Sequence, residues 1–271
     1  MKDKDFLYSD LPKNRKDVIK YLIKNRMGSI MLILLLSIPF IAPFYFWLIF
    51  SRYFYMNINE TGPINFCLMN AFPNLFLVFL YGIGLSGIFY SIRRLIFSET
   101  LRIPYHFFKG IKQSGFEFGL FVTLSYIIYA SFDLIDKVIY FSNSPIYYLI
   151  TIIFLIFDFF LFYILFYVLS SASLYVVSFI QAIKDAFNNC FKNIKKNIFY
   201  YIISFFPLIL IYFYHDNAFL IVNILGLSLL MISNVFGTLI NLSNAYDLFD
   251  ESINNKTYPN YYKKGLYKDE I

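Results

Sequence analysis

Deep inside one apolar run of this chain stands a single ionisable side chain, Asp158, thirteenth of the 24 residues from Ile146 to Leu169. A charge at the centre of a membrane helix costs about 2.5–3.5 kcal/mol on insertion scales, so such a carboxyl is protonated, paired or wetted. Two chemistries follow. A titratable acid inside a bundle can carry a proton or hold a cation for transport; alternatively, its protonated form serves only as a hydrogen-bonding group for an amide such as Asn234. A second apolar run carries Asn223, Gly226, Ser233, Asn234, Gly237 and Asn241, whose separations of three, four, seven and eight put them on one helical face. Amides turned to lipid would lose their hydrogen-bond partners. This face is therefore expected to point into a bundle, either as helix-packing glue or as the lining of a polar path.

The other motifs that could do chemistry fail on context. The stretch GIGLSG, Gly82 to Gly87, fits G-x-G-x-x-G by letter, but no strand precedes it and no ribose-binding acid accompanies it. Its small residues read as a packing surface: Gly82 with Ser86 and Gly87 with Ser91 are four apart, which lets a neighbouring helix approach closely. Two D-x-x-D pairs, Asp133/Asp136 and Asp247/Asp250 with Glu251, have the form of a two-metal pyrophosphate site. The topology derived below puts them on opposite faces of a membrane, and they read as solvated helix ends. Cys67, Cys190, His106 and His215 are too few and too scattered for zinc, which needs four ligands at short paired spacings. With no Ser/His/Asp set, P-loop or H-E-x-x-H motif, the expectation is a protein without enzymatic activity, metal or cofactor.

The elements that must position these residues follow from composition. Of 271 residues, 59% are hydrophobic and 15% charged, which lies outside the range of soluble domains and calls for a bilayer. About 20 predominantly apolar residues cross the hydrocarbon core. Six segments qualify: Gly28 to Phe50, Phe72 to Ile92, Phe116 to Phe132, Ile146 to Leu169, Ile198 to Tyr214 and Ala218 to Ile240. The first apolar run is longer than a signal-peptide core and ends in PFYFWLIF without a small-residue cleavage site, so it is expected to stay in the protein. Of the 23 Lys and Arg, all but Arg52 and Lys137 fall on one face of the resulting topology. By the positive-inside rule both termini are cytoplasmic, and an even number of spans preserves the alternation. The expected architecture is a single all-α integral membrane domain over residues 1–271: an N-terminal segment 1–27, a six-span bundle 28–240 and a tail 241–271.

A short phrase is written twice. FKGIKQSGF, Phe108 to Phe116, and FKNIKKNIF, Phe191 to Phe199, share Phe, Lys, Ile, Lys and Phe, and each stands just before an expected span. LIKNRMGSIMLILLL, with Ile23 and Lys24, is a degenerate third copy before the first span. The chain thus reads as three pseudo-repeated hairpins, each opened by a basic amphipathic elbow helix on the cytoplasmic side. Phe108, Ile111, Phe191 and Ile194 can enter the acyl boundary while Lys109, Lys112, Lys192 and Lys195 reach anionic headgroups. The net charge of +6 therefore points to lipid rather than nucleic acid, because the basic residues occupy the gaps between apolar runs. The elbows serve either as simple anchors or as docking faces for a membrane partner.

GIFYSIRRLIFSETLRIPYHFFKGIKQSGFEF (87–118) resembles the central segment of the YesL-like integral membrane proteins of Gram-positive bacteria, in which a span ends in a basic pair followed by an aromatic and basic elbow. IQAIKDAFNNCFKNIKKNIFYYI (180–202) is similar to their second elbow, and LFDESINNKTYPNYYKKGL (248–266) to the tail of clostridial relatives. The first hairpin departs from the family pattern, with IPFIAPFYF where relatives tend to have Thr and small residues after the proline. The resemblance implies a protein of the bacterial cell membrane whose genes accompany carbohydrate transport or glycan degradation. The function expected is a non-enzymatic accessory component of a transport system. The alternative is a small permease using Asp158 and the sixth-span face.

Overall fold

The structure is a computed structural model that describes residues 12–57, 63–141, 146–175, 179–192, 194–199, 202 and 219–267. Among them every regular element is helical. A short amphipathic helix, α1 (Arg15–Asn25), begins where Asn14 accepts a hydrogen bond from the Asp17 N–H at 2.9 Å, the usual role of an Asn N-cap. There follow α2 (Met27–Asn57), α3 (Pro63–Ile96), α4 (Ile103–Phe141), α5 (Tyr147–Ala172), α6 (Phe179–Lys192) and α7 (Phe219–Phe249), the last continued by a wider π-helical turn, Asp250–Asn254. Among the described residues four stretches are long and apolar enough to cross a membrane: Met27–Trp47, Pro73–Ile96, Ile103–Phe132 and Tyr147–Ala172. The expected fifth span lies almost wholly outside the described residues. The expected sixth, from residue 219 on, falls within α7, which is not among the four.

Apolar side chains on the outside of the bundle mark the surface that a bilayer would cover. On the first half of α5, Tyr148, Leu149, Ile152, Ile153, Leu155 and Ile156 are all exposed, whereas Tyr163 and 166–171 further along the same helix are buried. Such a contiguous apolar face has no stable place in water. In α3 the pattern inverts. Residues 84–92 are buried on every side, so this helix runs through the middle of the bundle.

The tightest packing is between α3 and the antiparallel α4, and it depends on small residues. A Cβ on Gly82 would stand 2.7 Å from the Gly119 Cα and 2.8 Å from the Phe118 carbonyl oxygen. Gly110 lies equally close to Tyr90 and the Ser86 carbonyl, and Gly87 faces the ring of Phe107. The four-residue spacing that the sequence shows at Gly82, Ser86 and Gly87 is thus the surface on which α4 rests.

This packing corrects the first elbow. Phe108 to Phe116 do not form a separate interfacial helix; they belong to the first turns of α4, which is unbroken over 39 residues, about 58 Å at 1.5 Å per residue. Gly110 and Gly119 let the chain lie against α3, and no residue between them stops the helix. The second copy of the phrase behaves differently. It straddles the end of α6, which folds back along α5 and brings Phe191 to stack on Phe160 with ring centroids 5.1 Å apart. The two copies therefore do not share one geometry.

At one end the bundle gathers both ends of the described chain, since the Tyr267 N–H donates to the Pro12 carbonyl at 2.8 Å. The Arg15 guanidinium, only 3% exposed, donates to Asp250 Oδ2 at 2.6 Å and to the Lys264 carbonyl at 2.8 Å. The other carboxylate oxygen of Asp250 accepts from Asn254 Nδ2 at 2.7 Å and from the Lys263 N–H at 3.2 Å. The expectation that Asp250 is a solvated helix end is corrected accordingly: it is buried, and its charge is matched by Arg15 and by donors from the tail. Around this pair, Tyr246 stacks on Phe97 at 5.0 Å, Arg93 donates to the Ser173 carbonyl, and Lys264 reaches Glu99 at 2.6 Å. Partial burial pushes the Glu99 carboxyl up, but Lys264, Arg94 and Arg93 outweigh it and hold it below the usual carboxylate range. Gly265 closes the tail over α3 with φ +82°. A side chain there would also strike the Ile96 carbonyl, 2.4 Å from an ideal Cβ.

Candidate functional site

Five helices each turn one face toward a common interior space. On α5 the residues are Asp158, Leu161, Phe162, Leu165, Phe166 and Leu169; on α7 they are Ser233, Asn234, Gly237, Thr238 and Asn241. Both sets repeat at three and four, the spacing of a single helical face. α4 contributes Val122, Ser125, Tyr126 and Tyr129, α3 contributes Val78, Tyr81, Leu85 and Phe89, and α2 contributes Phe44 and Tyr45. Together they line a partly open cavity of about 510 Å³. That volume lies within the range of small-molecule sites.

Three of the four polar candidates read from the sequence, Asp158, Asn234 and Asn241, meet at this cavity although they come from helices far apart in the chain. Asn223 and Gly226 also belong to α7, but their side chains lie outside the described residues. The asparagines are held by named partners. Tyr81 donates its hydroxyl to Asn234 Oδ1 at 2.6 Å, and Asn234 Nδ2 donates to the Tyr45 hydroxyl at 2.7 Å. One amide thus joins α2, α3 and α7. Tyr163 donates to Asn241 Oδ1 at 3.1 Å and to the Asn197 carbonyl at 2.7 Å, while Asn241 Nδ2 donates to the Gly237 carbonyl at 2.9 Å. Thr238 donates back to the Asn234 carbonyl at 2.6 Å. A satisfied amide in a low-dielectric interior rigidifies the helices it bridges.

Electrostatically the cavity is simple. Among the described residues that line it, Asp158 is the only formally charged one, and none is Lys, Arg or His. Most of the remaining wall is aromatic or aliphatic carbon. Tyr45, Tyr81, Ser125, Tyr126 and Tyr129 were not singled out from the sequence. With 25 tyrosines in the chain, individual ones carry no contrast, and only the three-and-four spacing of Tyr81, Leu85 and Phe89 or of Ser125, Tyr126 and Tyr129 could have marked them.

The elbow residues sit away from the cavity. Phe108, Lys112, Phe191, Lys192, Ile194 and Lys195 are exposed; Lys109 is half-buried with its ammonium 5.9 Å from the Tyr105 ring, and Ile111 packs partly into the core. Within the second copy, Asn197 is fully buried: its side-chain oxygen accepts from the Tyr167 hydroxyl at 2.9 Å and its nitrogen donates to the Cys190 carbonyl at 3.0 Å. Burial pushes the Cys190 thiol up to about 11. Among the described residues no three His, Cys, Asp or Glu side chains come together to hold a metal ion. Compared with protein families, with curated proteins and with solved structures, the chain matches none.

Proposed function

We propose that the protein is a non-enzymatic, multi-pass protein of the bacterial cell membrane that admits a small solute to the cavity at Asp158 and acts as a permease. The observation that carries this reading is the cavity itself: about 510 Å³, built by five helices, with an intramembrane acid in its wall. A bundle selected for stability alone would fill that space, because each void forfeits packing energy.

The architecture that goes with this reading is a single domain of six spans in three hairpins, with both termini cytoplasmic. Its support comes from direction. Tyr175 hydrogen-bonds Asn254 and Phe97 stacks on Tyr246, so α3, α5 and α7 all finish at the end where Pro12 meets Tyr267. That shared direction of α5 and α7 supports an even number of spans in this reading. Purified protein reconstituted alone in proteoliposomes is expected to move solute, and Ser233→Trp, which fills the cavity, is expected to stop it. Failure of the reconstituted protein to bind or move any solute would remove the permease reading.

A second reading is favoured by the exposed basic and aromatic positions of α4 and α6. Phe108 and Lys112, with Phe191, Lys192 and Lys195, offer apolar and cationic groups outside the bundle, as an accessory subunit on anionic lipid or a transporter partner requires. The likeness of 87–118 and 180–202 to YesL-like proteins supports a carbohydrate transport system as that setting. Co-purification of transport subunits, lost when Lys109, Lys112, Lys192 and Lys195 are changed together to Gln, would put this reading first.

A further inference from the structure

We propose that the cavity takes a single-chain amphiphile with a hydroxyl-bearing head, the head at the level of Asp158 and Tyr81 and the chain running from there toward the Arg15–Asp250 end. This deepens the solute reading above and rests on it.

The register of the helices divides the cavity into two levels. The rings of Phe89 on α3 and Phe166 on α5 are 5.3 Å apart, and both residues line the cavity. Tyr81 and Asp158 each stand eight residues earlier on these parallel helices. That places them about 12 Å further from the Arg15–Asp250 end, at 1.5 Å per residue. Asn234 and Tyr45 join Tyr81 there through hydrogen bonds of 2.6 and 2.7 Å. Phe132 packs on Phe157 with ring centroids 4.3 Å apart, which brings Tyr129, one turn earlier on α4, to the level of Asp158. Five helices thus each set a polar side chain at one level of the wall.

At the other level the described wall is largely carbon. Leu85, Phe89, Leu165, Phe166 and Leu169 line it from α3 and α5. Asn241, which meets Tyr163 three residues before Phe166, bonds to that hydroxyl and to the Gly237 carbonyl, and Thr238 donates to the Asn234 carbonyl. An apolar space stays dry and binds apolar molecules, while a few placed polar groups fix a ligand's direction. Hydroxyl, amide and carboxyl groups each take more than one hydrogen bond, so a head adds to the bonds these side chains already make. A hydroxyl head both donates and accepts. It therefore matches phenols, an amide and a carboxyl in either protonation state.

The test uses full-length protein in nanodiscs and a long-chain monoacylglycerol that carries a photoreactive diazirine at the end of its chain. Photolysis is expected to label the protein near Phe89, Phe166 or Leu169, and unlabelled monoacylglycerol is expected to suppress that label. Ser233→Trp at the polar level and Leu165→Trp at the carbon level are each expected to weaken binding by about 10-fold or more. Both variants must elute as monodisperse protein; the place of the label and its suppression need no variant and decide the matter should both fold poorly. Label that unlabelled monoacylglycerol does not suppress, in the cavity or on the exposed Leu149, Ile152 and Ile156, overturns the proposal, as does suppressible label that neither folded variant reduces. Saturable binding of a labelled neutral disaccharide or of tetraphenylphosphonium, abolished by Ser233→Trp, in protein that takes no monoacylglycerol, overturns it while leaving the cavity a solute site. Binding of none of the three, in protein that remains folded, removes the amphiphile proposal and the solute reading together.

Discussion

At the scale of single residues, the absence of a side chain decides the closest contact in the bundle. An alanine at Gly82 would drive its Cβ into backbone, 2.7 Å from the Gly119 Cα and 2.8 Å from the Phe118 carbonyl, and backbone held in two packed helices cannot step aside cheaply. Gly115 is the internal control. Its Cβ would meet Ile111, Ile83 and Ser86 side-chain atoms at 3.5 Å, which is ordinary van der Waals contact. Gly82→Ala is expected to destabilise by about 1–3 kcal/mol through overpacking. Gly115→Ala should be neutral or gain up to about 1 kcal/mol, because alanine is the better helix former. Thermal unfolding of the two variants in one detergent decides the matter, and equal behaviour would mean that α4 does not rest on Gly82. These small residues were legible beforehand because four-residue spacing is a local pattern. The same holds for Asn234 and Asn241, which repeat along one face. Their partners were not legible, since Tyr45, Tyr81 and Tyr163 are three among 25 tyrosines and nothing nearby in sequence pairs them with an amide.

At the scale of elements, the tail is a structural part of the bundle because a buried ion pair ties it to the first helix. Arg15 and Asp250 are 235 residues apart in the chain, and both side chains are at most 6% exposed. No local sequence pattern could announce that pairing, which is why Asp250 reads as a solvated end in one dimension and is buried in three. Lys109 and Lys112 mislead in the same way: in sequence they look like the boundary of a span, whereas Gly110 between them and Gly119 after them keep the helix on α3. Removing one member of a buried pair leaves an uncompensated charge and costs about 3–5 kcal/mol, while replacing both with apolar groups of similar size is often close to neutral. Asp250→Leu alone is therefore expected to lower the melting temperature in detergent and to open residues 255–267 to protease. Arg15→Met with Asp250→Leu should recover most of that loss. A double variant as unstable as the single one would mean that Asn254 and the Lys263 N–H, both donors to Asp250 Oδ1, hold the tail more than Arg15 does.

At the scale of the whole molecule, the question is which side of the membrane each end of the bundle faces. Cys67 lies in α3, near the end of the bundle opposite the Arg15–Asp250 pair, while the exposed Lys112 lies toward the end that carries the pair. The proposed topology puts the latter end, where Lys and Arg collect, in the cytoplasm. A membrane-impermeant maleimide is then expected to label Cys67 in intact cells and to reach a cysteine placed by Lys112→Cys only after permeabilisation. Cys190 gives no usable signal on either side. Its thiol is fully buried and pushed up to about 11, so thiolate is scarce at neutral pH and the reagent has no access without unfolding. In protein carrying Lys112→Cys, labelling before permeabilisation must therefore be assigned between Cys67 and the new cysteine, which a Cys67→Ser background does directly. Labelling of the Lys112→Cys site in intact cells would invert the topology and put both termini outside.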